Sequence, residues 1–180
     1  MAICKVSDCG SFVVAGDFPT NTVYVYDVNT RKLLYSLVGH TGWISSVTWS
    51  PDGTMIATAS YDMTIRIWNA ITGKIIHTLK EHTNIVRVVA WSPDGKWLAS
   101  GSEDCLVRLW NPQTGAMLRT LRFHKHYITS IKWSDDSLTL ISQTSFDKAT
   151  WSIETCKIVE TNDLVSLVSL PSPYTVKCLI

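Results

Sequence analysis

The sequence predicts an all-β fold built from four stacked, four-stranded antiparallel units, and three observations carry that prediction. The stretch HTGWISSVTWSPDGTMIATASYDMTIRIWN (40–69) matches HTNIVRVVAWSPDGKWLASGSEDCLVRLWN (82–111) at 14 of 30 positions without a gap. A spacing of 42 residues between copies is the signature of stacked repeats, so it takes precedence over any single-residue reading. Short β-branched and aromatic runs separated by tight turns make up each copy. No 3.6-residue periodicity of useful length appears.

Each element follows from its residues. SVTW and MIATAS flank SPDG, a turn with proline preset at its second position and glycine free to take positive φ at its fourth, which makes a hairpin. A second tight turn at YDMT leads into TIRIW, and a third at NAITGK leads into IIHTL. Weaker copies keep step: His124 follows His82 by 42 residues, and Trp49, Trp91 and Trp133 hold the same interval. Upstream, VSDCGSFVVAG (6–16) and NTVYVYD (21–27) match WSPDGTMIATA and MTIRIWN with about one residue inserted between them. The expected units are 2–37, 43–79, 85–121 and 127–161, each with its fourth strand last.

Composition bounds the function class. Across 180 residues, 46% hydrophobic content supports a substantial core, and 16 basic against 15 acidic side chains leave a net charge of +1. That balance provides no global field toward nucleic acid or membrane. Five scattered cysteines without a C-x-x-C pair argue against a disulfide framework or zinc site and fit a reducing intracellular compartment, cytoplasm or nucleus. No apolar run approaches the ~18 residues that span a bilayer, and Cys178 stands third from the end, one place late for prenylation. The chain reads as soluble, with no cofactor.

The Gly39-His40 pair, the SPDG turn, the Asp62 turn and the Trp68-Asn69 ending resemble the WD40 repeat of β-propellers, over nearly the whole chain to about residue 161. Asn69 and Asn111 replace the usual final aspartate of the repeat, which Asp27 keeps, while Glu81 and Phe123 stand where glycine precedes the histidine. The resemblance implies a propeller segment of four blades, with LVSLVSLPSPYTVKCLI in the 162–180 tail resembling the start of a fifth. Propellers close with 4–8 blades. An open arc of four is therefore expected to expose two apolar blade faces, covered by a second copy, by another protein, or by the rest of a longer propeller.

The recurring His, Ser or Thr, and Asp invite a hydrolase reading, but no nucleophile elbow or oxyanion loop accompanies them. The resemblance implies a structural clamp instead, a buried hydrogen-bonded chain tying the loop before the first strand to the second and third strands. The sets are His40, Thr58, Asp62, Trp68 and His82, Ser100, Asp104, Trp110. In the fourth copy His124 and Ser142 are in place, but Asp147 comes one residue late and Ser152 stands where tryptophan is expected, so this clamp is expected to be incomplete and its blade the least stable. His124-Lys125-His126 could hold a metal only with a third ligand, and none is evident, so no metal site is assigned.

By the same resemblance, partner contacts fall on one rim, at the third and fifth residues after each histidine and the residue before each turn aspartate. These are Trp43, Ser45, Tyr61; Ile85, Arg87, Glu103; and Tyr127, Thr129, Phe146. Large aromatics beside an arginine are the usual makeup of protein-binding hot spots. The expected function is a non-catalytic scaffold, a complex subunit binding a protein or peptide on this rim. The alternatives are an RNA-associated propeller subunit, against which the few basic rim residues (Arg87, Arg122, Lys125) argue, and a propeller hydrolase.

Overall fold

The computed structural model describes residues 3–7, 10–17 and 20–161. Sixteen strands form four sheets of four antiparallel strands, and the described residues contain no helix. The first sheet comprises β1 (Ile3–Val6), β2 (Phe12–Asp17), β3 (Thr22–Asp27) and β4 (Leu33–Leu37); the second β5 (Ile44–Trp49), β6 (Met55–Ser60), β7 (Ile65–Asn69) and β8 (Ile75–Leu79). The third comprises β9 (Val86–Trp91), β10 (Leu98–Ser102), β11 (Leu106–Trp110) and β12 (Met117–Arg122); the fourth β13 (Ser130–Trp133), β14 (Thr139–Gln143), β15 (Lys148–Ser152) and β16 (Ile158–Thr161). Every strand pairs with its neighbour in sequence, and the first strands β1, β5, β9 and β13 lie side by side along the inner wall. These are the blades of a propeller arc. The proposed fifth-blade segment lies outside the described residues.

The hairpin turns behave as their residues require. In SPDG the amide of Gly53 donates to the Ser50 carbonyl at 2.9 Å, the Ser50 hydroxyl donates to Asp52 at 2.6 Å, and Gly53 takes φ 70°. The fourth blade places Ser137 at the matching position with φ 62°, and its hydroxyl accepts the Asp94 amide of the third blade at 3.1 Å. A side chain held in the left-handed region costs energy, and here the bond across two blades offsets it.

Packing between blades has one repeating motif. Across the first three strands of each blade runs a paired row: Trp49, Ile56, Trp68 in the second, Trp91, Leu98, Trp110 in the third, and Trp133, Leu140, Trp151 in the fourth. Phe12, Met55 and Trp97 of the preceding blade pack into the same clusters as these rows. Phe12 stacks on Trp49 with ring centroids 6.1 Å apart. In all four blades the pairing of the third and fourth strands slips by one residue at the row position, Tyr26 in the first and tryptophan in the others. Such bulges sharpen the local twist.

The row face also carries the clamp. In the second blade Trp68 Nε1 donates to Thr58 Oγ1 at 2.9 Å, Thr58 reaches His40 Nε2 at 2.7 Å, and His40 Nδ1 reaches Asp62 at 2.7 Å. An indole can only donate and a carboxylate can only accept, so the direction is fixed: the hydroxyl donates to Nε2 and Nδ1–H donates to Asp62. The third blade repeats the chain through Trp110, Ser100, His82 and Asp104 at 2.8, 2.7 and 2.8 Å. Arg108, itself buried, adds a 2.7 Å bond to Asp104.

The fourth blade departs from the sequence expectation. His124 Nε2 meets Ser142 Oγ at 2.6 Å, Trp151 Nε1 donates to Ser142 at 2.8 Å, and His124 Nδ1 bonds Asp147, so the chain is continuous. The turn between β14 and β15 is one residue shorter, which slides Trp151 opposite Leu140 as Trp68 lies opposite Ile56. Tryptophan is therefore present in register, and Ser152 is not its replacement. The carboxylates differ: Asp62 also accepts the amides of Thr41 and Thr64, whereas Asp147 accepts the Thr144 hydroxyl in their place.

The ends of the arc also correct an expectation. Among the described residues, the outward face of the first blade is apolar, with Val6, Val13 and Tyr26 in its row. The free face of the fourth carries Lys132, Gln143, Lys148, Thr150 and Glu160 around a single Ile141. Two apolar ends are not present among the described residues.

Burial alone would raise the Asp62 and Asp104 carboxyls, but bonds and charge from their histidines, with Thr64 or Arg108 and a turn amide, hold both well below the ordinary 3.8. Burial pushes the His82 and His124 imidazoles below their ordinary 6.5 despite the pull of their aspartates. The unfolded chain therefore takes up these protons first as pH falls through 6.5, and stability held above that value is lost on acidification. A second loss, from the carboxylates, begins below 3.8. Thermal melts should show a lower midpoint at about pH 5.5 than at about pH 7.5; a flat profile would contradict the buried neutral imidazoles. Asp104→Ala strands Arg108 and His82 and should cost about 3 kcal/mol in urea unfolding.

Candidate functional site

The loops that the clamps fix end on one edge of the arc, and the rim residues sit there. The Tyr61 amide donates to the Trp43 carbonyl at 2.8 Å, and the Glu103 amide to the Ile85 carbonyl at 2.9 Å. Each bond brings the loop before a blade's first strand against the turn after its second. Adjacent blades also meet along this edge. Ser45 Oγ donates to the Val86 carbonyl of the next blade, and the Arg87 guanidinium lies 4.8 Å from the Tyr127 ring centroid. The rim of blades two to four is one continuous surface.

Exposure separates the rim residues into two groups. Trp43 is 54% exposed, Tyr61 36%, Tyr127 42% and Phe146 60%. Trp43 and Tyr61 contact each other with centroids 5.5 Å apart, so they form one amphipathic platform on the second blade. Ser45, Ile85, Arg87 and Glu103 are partly buried, and Arg87 Nε donates to Glu103 at 2.8 Å. That ion pair holds the guanidinium over the Tyr127 ring. Thr129 is exposed, with its hydroxyl donating to the Gln143 carbonyl at 3.0 Å.

Two rim residues escaped the sequence reading. His126 packs on Phe146 at 4.4 Å between centroids, which makes the fourth blade's platform a pair like Trp43 and Tyr61. Met63, 45% exposed and two residues after Tyr61, sits at the turn with φ 66°. In the sequence His126 suggests only a metal ligand; among the described residues no group of three metal-binding side chains forms. Its signal was position, since it follows His124 by two as Gly42 follows His40.

The hydroxyls that suggested a nucleophile are not on this surface. Thr58, Ser60, Ser100, Ser102 and Ser142 are each 0% exposed; Thr58, Ser100 and Ser142 each accept an indole N–H while donating to an imidazole, and Ser60 and Ser102 donate to the Gly42 and Asn84 carbonyls. Both hydrogen-bonding roles are already committed.

The model of the WD40 repeat, described as WD domain, G-beta repeat, matches residues 31–69, 73–111 and 115–149. Each matched repeat holds the outer strand of one sheet and the inner strands of the next, so repeat and blade are out of phase. The human U5 small nuclear ribonucleoprotein 40 kDa protein is 42% identical over 59 residues, covering 33% of this chain and 16% of that protein. Periodic tryptophan protein 2 homolog of Schizosaccharomyces pombe is 34% identical over 61 residues, 34% of this chain and 7% of that protein. Ribosome assembly protein 4 of Saccharomyces cerevisiae is 46% identical over 44 residues, 24% of this chain and 8% of that protein. The chain thus spans a small part of the length of these relatives. A chain in the crystal structure of the mitotic checkpoint complex superposes with a TM-score of 0.83 at 26% identity, over 89% of this chain and 50% of that one. No helix among the described residues is long and apolar enough to cross a membrane. With matched repeats over more than half of its length and four propeller sheets to carry them, the chain belongs to the WD40 family of WD-domain, G-beta repeats.

Proposed function

We propose that this chain is a non-catalytic scaffold that binds a protein or peptide through the aromatic rim of blades two to four. One observation carries the reading: four large aromatic side chains stand exposed at the ends of loops that the clamps hold rigid. Rigid aromatics lose little entropy on binding and bury much area, which is why they dominate interface energetics. The rigid histidine loops supply preorganisation, so less of the gain is lost to ordering. The buried, committed hydroxyls support the absence of a hydrolytic site.

The names of the relatives point to a setting. A small nuclear ribonucleoprotein subunit and a ribosome assembly protein both suggest that this chain serves as a subunit of a ribonucleoprotein or its assembly machinery, in the nucleus. A direct RNA-binding role is the second reading, favoured by those names alone. The rim argues for protein, because Arg87 is already paired with Glu103 and its charge is largely spent.

Affinity capture with the full chain tests the first reading. Trp43→Ala with Phe146→Ala should leave the melting temperature unchanged within error and lower recovery of specific partners about tenfold. Ile71→Ala, at an exposed turn away from the rim, should change neither. Equal recovery from all three chains would refute the rim assignment. Fluorescent single-stranded RNA should bind only weakly at about 150 mM salt; tight binding with a steep salt dependence would favour the RNA reading instead.

A further inference from the structure

A cavity of about 390 Å³ lies on the inner wall of the arc, among the first strands. All four blades contribute to its lining: Lys5 from the first, Ser46 and Trp49 from the second, Ala90 and Trp91 from the third and Ile131 from the fourth. These residues face the joints between blades rather than the ends of the arc. Val14, the cross-strand partner of Lys5, is buried in one cluster with Trp49, and Ile131 is buried in one cluster with Ala99 of the third blade. Pro51, in the turn after β5, also lines the cavity, which places it at the opposite end of that strand from Trp43 and the rim.

The side-chain polar groups gathered here are donors. Trp49 and Trp91 are 7% and 8% exposed, and the indole nitrogen of each is buried without a hydrogen-bond partner. An indole N–H can only donate, and burying it unpaired is costly. Trp133, at the same position of the fourth blade, shows the bond such a group makes: its Nε1 donates to the Ala90 carbonyl at 3.1 Å. For Trp91 the corresponding carbonyl, 42 residues before Ala90, is that of Thr48, and the indole does not bond it. Ser46 Oγ accepts the Val89 amide at 3.4 Å, which leaves the hydroxyl proton to donate elsewhere. Lys5 adds an ammonium, and no aspartate or glutamate lines the cavity to neutralise it.

We propose that this inner-wall cavity binds the phosphate group of a small phosphorylated molecule, held by Lys5, the indole N–H groups of Trp49 and Trp91, and the Ser46 hydroxyl. Donors that come from three different blades suit a tetrahedral anion, which turns oxygens to each of them, better than a carboxylate, whose two oxygens share a plane. Bonds from an ammonium and from N–H groups to an anionic oxygen are among the stronger hydrogen bonds. The volume exceeds what a bare phosphate fills and falls in the range of small-molecule sites, and Val47, Val88 and Pro51 supply an apolar wall for the rest of the ligand. None of these residues belongs to the aromatic rim, so the site stands whether or not the rim binds a protein.

Proton–nitrogen correlation spectra of the isotope-labelled full chain test this directly, because each of the eight tryptophans gives its own indole N–H signal. Trp49→Phe and Trp91→Phe assign the two that matter. Titration with inorganic phosphate, with ionic strength held constant by chloride, should move the Trp49 and Trp91 signals downfield along a saturating curve. The Trp133 signal, already committed to the Ala90 carbonyl, should stay in place. Lys5→Met should raise the phosphate concentration at half-saturation about tenfold. Lys5 is exposed, so this variant should keep the melting temperature of the parent chain. Signals that do not move overturn the proposal, since solvent then satisfies both indoles. So do shifts that chloride alone reproduces, that fail to saturate, or that Lys5→Met leaves unaltered. Acetate acting at the same concentration as phosphate would overturn the choice of a phosphate group.

Discussion

A carboxylate buried at the edge of a β-sheet must be surrounded by donors, and this requirement organises the molecule. Asp62 and Asp104 are accessible over only 8% and 4% of their side chains, and each collects donors from an imidazole, two turn amides and a further side chain. Meeting that requirement fixes the turn after the second strand, the loop before the first and the tautomer of the histidine at once. Because the histidine passes the constraint on through a hydroxyl to an indole in the row, the geometry of the rim and the packing between blades are coupled through one chain of bonds. The rim aromatics are rigid for the same reason that the blades stack.

Much of this was legible in the sequence because it recurs. One His40 is ambiguous, but His40, His82 and His124 at a fixed interval, each 18 residues before a hydroxyl, leave little choice. What could not be read depends on register rather than spacing. Counting along the chain puts Ser152 in the tryptophan position; pairing across the sheet puts Trp151 there, because a turn one residue shorter shifts everything after it. The two end faces were illegible for a related reason. Whether Lys132, Thr150 and Glu160 share a face is a statement about cross-strand partners, and the same residues read in sequence look like an ordinary alternating strand pattern. His126 was obscured by its neighbour, since a His-Lys-His run draws attention to coordination before packing.

Two kinds of surface coexist on this arc, and they differ in how they are maintained. The rim presents exposed aromatic side chains on loops that buried hydrogen bonds anchor. The end of the first blade presents an ordinary interior surface, one that resembles the covered faces of the other blades in all but the size of its row residues, Val6 and Tyr26 replacing Trp49 and Trp68. Smaller side chains in the row leave more room than its counterparts have.

The mismatch in phase between repeat and blade bears on how such an arc could have grown. A duplicated segment with the bounds 31–69 or 73–111 contains the outer strand of one sheet and the inner three of the next. Copying it never adds a free-standing sheet. It inserts a unit whose first strand completes the sheet already present and whose last three wait for the next copy, so each new repeat is stitched covalently to both neighbours from the moment it arises. Lengthening the array by whole repeats therefore preserves every junction, and a change of length need not begin with an unstable intermediate.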